Sequence, residues 1–357
     1  MATAAKRVSR LITSRPMHLT GTPALRPFTH LRMNSSAAAA AATPAAPAPS
    51  SSSPGEEAAA AAAAATKAAQ ANYKIVQDIS NFAQTEASRA PFDHTSPAIE
   101  VTQSPYPHWT YGQGVPDNGT SAGKTHREID PYDTSRPAIN NYRLLVSGIA
   151  PRPVGFLSTV SADGATKNLA PFSYFQVVDH DPPLFVVGFS SRPGRAKDTY
   201  RNLQATGECV INTVSEGMIE AVNATAIDAP YGVSEWEVSG LTEAPSATVT
   251  PSRVRESVFS IEGRVLEIKE FAAHSPGMSV SAVVLIKATR FWVEEGAVDA
   301  EGSHIDLEKL RPVAQLGGVA YGRITSTFER PRTKWGAEVE KSELLRELEQ
   351  RNEDGGN

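Results

Sequence analysis

The chain has 357 residues, which allows about two domains of ordinary size if all of it folds. Its net charge of −5 averages two regions: residues 1–55 carry six basic residues and no acid, whereas the remainder has 28 basic and 39 acidic residues, a net −11. Residues 56–357 are too acidic to neutralise nucleic-acid phosphates. Cys209 is the single cysteine, which excludes an intramolecular disulfide and a cysteine-cluster metal site. No apolar run is long enough to predict a membrane span.

The N-terminal composition predicts two segments that precede the folded domain. Residues 1–33 are rich in Arg, Ser and Thr and lack acids, which is typical of a mitochondrial transit peptide. The alternative is a basic tail on a cytoplasmic protein. Residues 34–71 consist mainly of Ala, Pro and Ser, and they predict a disordered linker because such side chains bury too little surface to offset backbone ordering.

Residues 72–135 predict an extended arm that packs on the barrel described below. Tyr73–Phe82 could form one short element, but the prolines beyond it forbid a long helix or a central strand. Trp109 and Tyr111 require apolar neighbours, which such a contact would supply.

A pattern of short strands begins after residue 136. Val154–Val160 predicts a strand followed by turn residues at 162–164, and Asn168–Gln176 predicts a second extended piece interrupted by Pro171. Leu184–Phe189 is continuously apolar, which indicates a strand buried on both faces.

The second half of this region adds two helices and three strands. Asp198–Thr206 predicts a helix with Asp198 as its N-cap and Gly207 as its stop. The strand spacing of about 10–12 residues, with few helices, predicts a small barrel. The remaining predicted elements are a strand at Cys209–Val214, a helix at Glu216–Thr225, an antiparallel pair at Ser257–Ile268 and Ser281–Val293, and a charged tail over residues 336–357.

Familiar catalytic motifs are absent from the sequence. There is no GxGxxG after a strand, no P-loop, no GxSxG and no HExxH. Asp179-His180-Asp181 could suggest a metal cluster, but the following Pro182-Pro183 favours a turn.

Ser190–Thr199 (SSRPGRAKDT) carries the clearest chemical signal. A basic, hydroxyl-rich loop follows a strand and enters a helix, so unpaired N–H groups and the positive end of the helix dipole meet cationic side chains. Such a site suits a phosphate. A solvated basic loop, with its helix capped by Asp198 alone, fits the residues equally well.

Asn168–Phe175 carries a weaker signal, since Pro171 leaves backbone groups that cannot all join a ladder. A flat heterocycle with alternating donors and acceptors would satisfy that edge, although the motif taken alone favours a simple proline kink.

Several motifs in the right order resemble the flavin reductase-like family of FMN-binding split β-barrels. They are GIAPRPVGFLSTVSADGATKNLAPFSYFQVV (Gly148–Val178), the KDTxxNL segment (Lys197–Leu203) and GECVINTV (Gly207–Val214). YGVSEWEVSGL (Tyr231–Leu241) and LRPVAQLGGVAYGR (Leu310–Arg323) resemble a longer subgroup that includes fungal members. The resemblance covers about residues 106–335.

The resemblance implies a mainly β fold over residues 136–335: a six-stranded Greek-key split barrel with a few short peripheral helices. It also implies a homodimer with FMN near the subunit interface. By position, the resemblance places the flavin or its ribityl chain near Ser158 and Thr159. The edge of the isoalloxazine ring should lie along Asn168, Leu169, Ala170 and Pro171, with Ser173 and Phe175 beside it. The phosphate should be bound by Ser190, Arg192, Lys197, Asp198 and Thr199.

The function implied is NAD(P)H-dependent flavin reduction, with hydride transfer to flavin N5. Such chemistry needs no side-chain acid, base or nucleophile, because the protein aligns two rings and excludes water. The same sequence is compatible with a non-catalytic FMN-binding or electron-carrier protein, or with a pyridoxamine-phosphate-oxidase-like barrel. The electron acceptor could be a partner monooxygenase, free flavin or a small molecule.

Overall fold

The computed structural model describes residues 82–95, 98–191, 195–272 and 280–355, all of them within one compact unit, Ala65–Asn357. The predicted transit peptide, the predicted linker and Arg192 lie outside the described residues. Within these ranges, no helix combines the length and apolar character needed to cross a bilayer.

The described residues are mainly β. The helices are α1 Phe82–Ala87, α2 Ala138–Gly148, α3 Asp198–Thr206, α4 Ile219–Ala224, α5 Glu235–Ser239, α6 Leu307–Leu310, α7 Trp335–Val339 and α8 Glu343–Asp354. The strands are β1 Glu100–Thr102, β2 Arg152–Pro153, β3 Gly155–Val160, β4 Lys167–Phe172, β5 Phe175–His180, β6 Pro183–Ser191, β7 Glu208–Asn212, β8 Glu243–Ala244, β9 Arg253–Val254, β10 Phe259–Phe271, β11 Val280–Val293, β12 Val313–Gln315, β13 Tyr321–Arg323 and β14 Ser326–Phe328.

One antiparallel sheet forms the split barrel, with strand order β4-β3-β7-β10-β11-β6-β5. The predicted long pair is confirmed as β10 and β11, with Phe259 opposite Val293 at one end. The predicted hairpin turn is also confirmed: Gly164 has a φ of 71°, which a side chain would strain, and Ser161 N–H donates to Thr166 O at 2.9 Å.

The sheet has seven strands, one more than the resemblance implied. The extra strand arises because Asn168–Gln176, predicted as one extended piece, bends at Ser173-Tyr174 and becomes β4 and β5. Those strands are consecutive in the chain yet lie at opposite ends of the strand order. Gly188 N–H still donates to Tyr174 O at 2.7 Å, so the bend remains attached to β6.

Burial on both faces belongs to β3 and not to β6. All six residues of β3 are buried, because the barrel interior covers Leu157 while a second cluster with Met218 and Trp236 covers Phe156. In β6 burial alternates, with Phe185, Val187 and Phe189 buried and the residues between them half-buried. The prediction that Leu184–Phe189 is buried on both faces is therefore wrong within a single chain.

The helix at Asp198–Thr206 is confirmed, and Gly207 stops it in the left-handed conformation with a φ of 69°. Its predicted N-cap is wrong. Lys197 occupies the cap position with extended backbone, Asp198 is the first helical residue, and no side chain caps this end. The helix predicted at Glu216–Thr225 forms as a 3-10 turn, Glu216–Met218, that continues into α4.

The arm contacts residues between 308 and 344, and Asn141 Nδ2 of α2 also donates to Pro131 O at 2.7 Å. Its strand β1 pairs in parallel with β14, and Tyr111 Oη lies 3.2 Å from Thr333 Oγ1. Trp109 is half-buried and packs edge-on against Tyr111, and its Nε1 donates to Gly114 O at 2.7 Å.

Candidate ligand-binding cleft

A cleft of about 600 Å³ opens between the free edge of β4 and the N-terminus of α3. Its size is in the range of ordinary cofactor sites. The loop 225–231 forms the opposite wall. The cleft brings together seven of the residues predicted from sequence: Asn168, Ala170, Pro171, Ser190, Lys197, Asp198 and Thr199.

The N-terminal end of α3 gives one end of the cleft the properties of an anion site. The first N–H groups of any α-helix lack intrahelical acceptors, and this end has no side-chain cap. The exposed Lys197, Ser190 and the buried Ser191 line the cleft beside it. The donors fit a phosphate group.

Acidic side chains lie beside the basic side chains of the cleft and partly balance their charge. Burial raises the pKa of the Asp198 carboxyl, while the nearby Arg201 and Lys197 oppose that rise. Across the cleft, Arg195 Nη2 donates to Asp228 Oδ1 at 2.8 Å. Lys197 makes no side-chain hydrogen bond or ion pair with any described residue, so its ammonium group is available to an anion.

A chain of buried polar side chains connects α3 to β4. Asn168 Oδ1 accepts from Thr199 Oγ1 at 2.7 Å and from Thr159 Oγ1 at 3.0 Å. Thr159 Oγ1 accepts in turn from Asn202 Nδ2 at 3.0 Å. Since the Thr199 hydroxyl donates to Asn168, that proton is not available to a phosphate, and Thr199 can offer an anion its backbone N–H.

The edge of β4 differs from the prediction of alternating donors and acceptors. Leu169 N–H points away from β3 and donates to Glu235 Oε2 at 3.1 Å. Pro171 faces the same side two residues later and has no N–H. At these two positions the free edge therefore offers carbonyl acceptors only.

Five of the predicted residues do not line the cleft in a single chain. Ser158 Oγ donates to Ser252 O at 2.5 Å, and Thr159 is fully buried in the polar chain described above. Leu169 is a core residue. Ser173 Oγ accepts from Arg152 Nε at 3.3 Å, and Phe175 stacks on Phe185.

Glu235 and Tyr231 belong to the cleft but carried no assigned role in the sequence. Glu235 is only 5% exposed, and its Oε2 also accepts from Asn168 Nδ2 at 3.0 Å. Tyr231 Oη donates to Asn202 Oδ1 at 3.4 Å, and Arg201 lies over its ring. Both residues lie in the family-like segment Tyr231–Leu241. No local sequence pattern indicates that Glu235 accepts a hydrogen bond from the edge of β4, 66 residues earlier in the chain.

Arg323, which lies in the family-like segment Leu310–Arg323, has a structural role. Its Nη1 lies 3.1 Å from Asp93 O and 3.7 Å from Glu216 Oε2, and its guanidinium lies over the Phe92 ring. It therefore attaches the arm to the barrel. Tyr321 packs against the second core cluster, and burial raises its pKa.

Comparison with known proteins agrees with this architecture. Residues 147–306 match the model of the flavin reductase like domain. An uncharacterized protein of Halalkalibacterium halodurans is 36% identical over 206 residues, which span 57% of this chain and 96% of the relative. The chain belongs to the flavin reductase-like family.

Two solved structures support the fold of this family member. Nitrilotriacetate monooxygenase component B from Bacillus cereus superposes with a TM-score of 0.54 at 30% identity, covering 58% of this chain and all of the other. A split-barrel protein from Shewanella frigidimarina superposes at 0.50 with 22% identity, again over 58% and 100% of the two chains. As a member of the flavin reductase-like family, the protein is a flavin-binding oxidoreductase of the split-barrel type.

Proposed function

We propose that the cleft binds FMN and that the protein reduces it with NADH or NADPH. The observation that carries the proposal is the convergence, in one cleft, of the uncapped N-terminus of α3, Lys197 and the free edge of β4. A phosphate would bind at the helix N-terminus beside Lys197, and a flat ring would lie along the edge of β4.

The ends of the cleft would have different tasks. Lys197 and the first N–H groups of α3 would bind the phosphate through charge-assisted hydrogen bonds. Ala170 and Pro171 would lie along the ring. The buried polar chain through Asn168 and Thr199 would keep the two ends at a constant separation.

The bound flavin would supply the redox chemistry, by taking a hydride at N5 from a reduced nicotinamide and passing the electrons on. The protein's own residues would bind and orient the two rings and exclude water. The similarity to a monooxygenase component B favours a partner monooxygenase as the electron acceptor.

We also propose that the protein is a homodimer. Ile139, Tyr142, Leu145 and Ile149 recur at helical spacing and are 46–62% exposed, which places an apolar face of α2 in solvent in the single chain. Burial raises the pKa of Tyr174, at the bend after β4, and the electrostatic effect of the nearby Tyr142 raises it further. The apolar surface therefore extends from α2 to the bend that joins β4 and β5.

Anaerobic mixing of the purified protein with FMN and each nicotinamide nucleotide tests the proposed activity. Loss of most of the visible absorbance of the flavin would support a reductase. Tight FMN binding without reduction by either nucleotide would identify an FMN-binding electron carrier instead.

A further inference from the structure

Glu235 is a buried carboxylate with no cationic partner among the described residues. It lies at the start of α5, is 5% exposed, and lines the cleft. A buried charge without a counter-ion is destabilising unless hydrogen bonds compensate for the lost hydration. Its Oε2 receives two such bonds, from Asn168 Nδ2 and Leu169 N–H. Its Oε1 receives none from the part of the chain that the structure describes.

The acceptor-only character of Glu235 sets the direction of the whole polar chain. Because a carboxylate cannot donate, Asn168 must present its Nδ2 to Glu235 and its Oδ1 to the hydroxyls of Thr159 and Thr199. Each donor then points towards Glu235, starting from Tyr231 and continuing through Asn202. The carboxylate thus fixes both the β4 edge and the first turn of α3.

We propose that Glu235 is a positioning residue for the bound flavin, and that its Oε1 accepts an N–H of the ligand ring while its charge disfavours the reduced, anionic flavin. This inference rests on the proposed function. It explains why the site has a carboxylate where an amide could supply the same two bonds to Asn168 and Leu169.

Three variants separate the charge from the hydrogen bonds. Glu235→Gln keeps one oxygen for Asn168 and Leu169 but replaces Oε1 with an NH₂ group and removes the charge. Glu235→Ala removes the acceptor altogether and leaves two buried donors unpaired. Glu237→Gln is the matched control, because Glu237 lies in the same helix and is exposed.

The experiment measures FMN and riboflavin affinity, the midpoint potential of bound FMN, and the melting temperature of each apoprotein. We expect Glu235→Gln to weaken both ligands equally, by about tenfold, because the lost contact is to the ring and not to the phosphate. We expect its preference for reduced over oxidised FMN to rise by about tenfold, which is a potential about 30 mV more positive. Its apoprotein should melt close to wild type, and Glu237→Gln should match wild type throughout.

Two results would overturn the inference, and they are distinguishable. If wild type binds FMN while Glu235→Gln leaves affinity and potential unchanged, Glu235 only supports the fold, and the proposed function stands. If wild type binds no flavin at all, the proposed function fails and this inference fails with it. The melting temperature of Glu235→Ala shows how much the polar chain contributes to folding in either case.

Discussion

Thr199 Oγ1 donates to Asn168 Oδ1 across 2.7 Å, and both side chains are almost completely buried. The bond joins the first turn of α3 to β4 and therefore couples the position of the helix N-terminus to that of the strand edge. This contact would keep the proposed phosphate site and the proposed ring site aligned although they lie on different elements.

Replacing Thr199 with Val should weaken that connection. We expect the free energy of unfolding to fall by about 1–2 kcal/mol, because Asn168 Oδ1 loses a buried donor while the volume of the side chain is kept. Thr199→Ser retains the hydroxyl and is the control. Chemical denaturation of both variants makes the comparison, and equal stability of Thr199→Val and wild type would show that the bond does not contribute.

Replacing Lys197 with Ala should weaken FMN binding by about tenfold or more, since a charge-assisted contact to phosphate is worth about 1.5–3 kcal/mol. Riboflavin, which has no phosphate, should be nearly unaffected. Fluorescence titration with the two ligands separates these outcomes. Lys309→Ala is the control, because Lys309 is exposed and does not line the cleft. Equal losses for FMN and riboflavin would mean that Lys197 supports the fold and not a phosphate.

Replacing Leu145 with Asp should convert the proposed dimer to a monomer. Leu145 is 53% exposed on the apolar face of α2, and a charge in a buried interface would be strongly unfavourable. Leu144→Asp is the matched control: Leu144 is 48% exposed but points to a different side of the same helix. Light scattering gives the masses. If Leu145→Asp remains dimeric, this face of α2 is not the interface.

The buried Glu262 predicts a pH-dependent contribution to stability. Burial alone raises its pKa, but hydrogen bonds from Thr248, Ala247 and Trp292 outweigh burial and bring the pKa below its ordinary value of 4.5. A carboxyl whose pKa is lower in the folded state stabilises the fold above its unfolded pKa. That contribution is lost as the pH falls from about 4.5 through the folded pKa.

Glu262→Gln should therefore lower the free energy of unfolding at pH 7 by at least about 2 kcal/mol, because it leaves buried donors unpaired. The difference from wild type should shrink below pH 4. Glu267→Gln, in the same strand and exposed, should behave like wild type. Urea denaturation across this pH range makes the measurement. A difference that does not change with pH would contradict the role assigned to the ionised carboxyl.

Local patterns predicted the strands of the barrel sheet, with β4 and β5 as one piece, because turn residues and alternating apolar residues act over short distances. The short strands outside that sheet were not predicted. The cap of α3 was predicted wrongly, since Asp198 is a good N-cap residue by type but the chain enters the helix one residue earlier, at Lys197. Burial of β3 on both faces depends on helices α4 and α5, which lie more than 50 residues later in the chain. Glu235 was missed for the same reason, because its role arises only when α5 packs beside β4.

Amide hydrogen exchange with and without FMN tests most directly whether this cleft is the flavin site. FMN should slow exchange in peptides covering residues 168–173 and 195–201, which contain the β4 edge and the first turn of α3. Peptides covering residues 299–306, outside the cleft, should exchange at the same rate in both samples. Saturating FMN that protects neither of the first two segments would contradict the account.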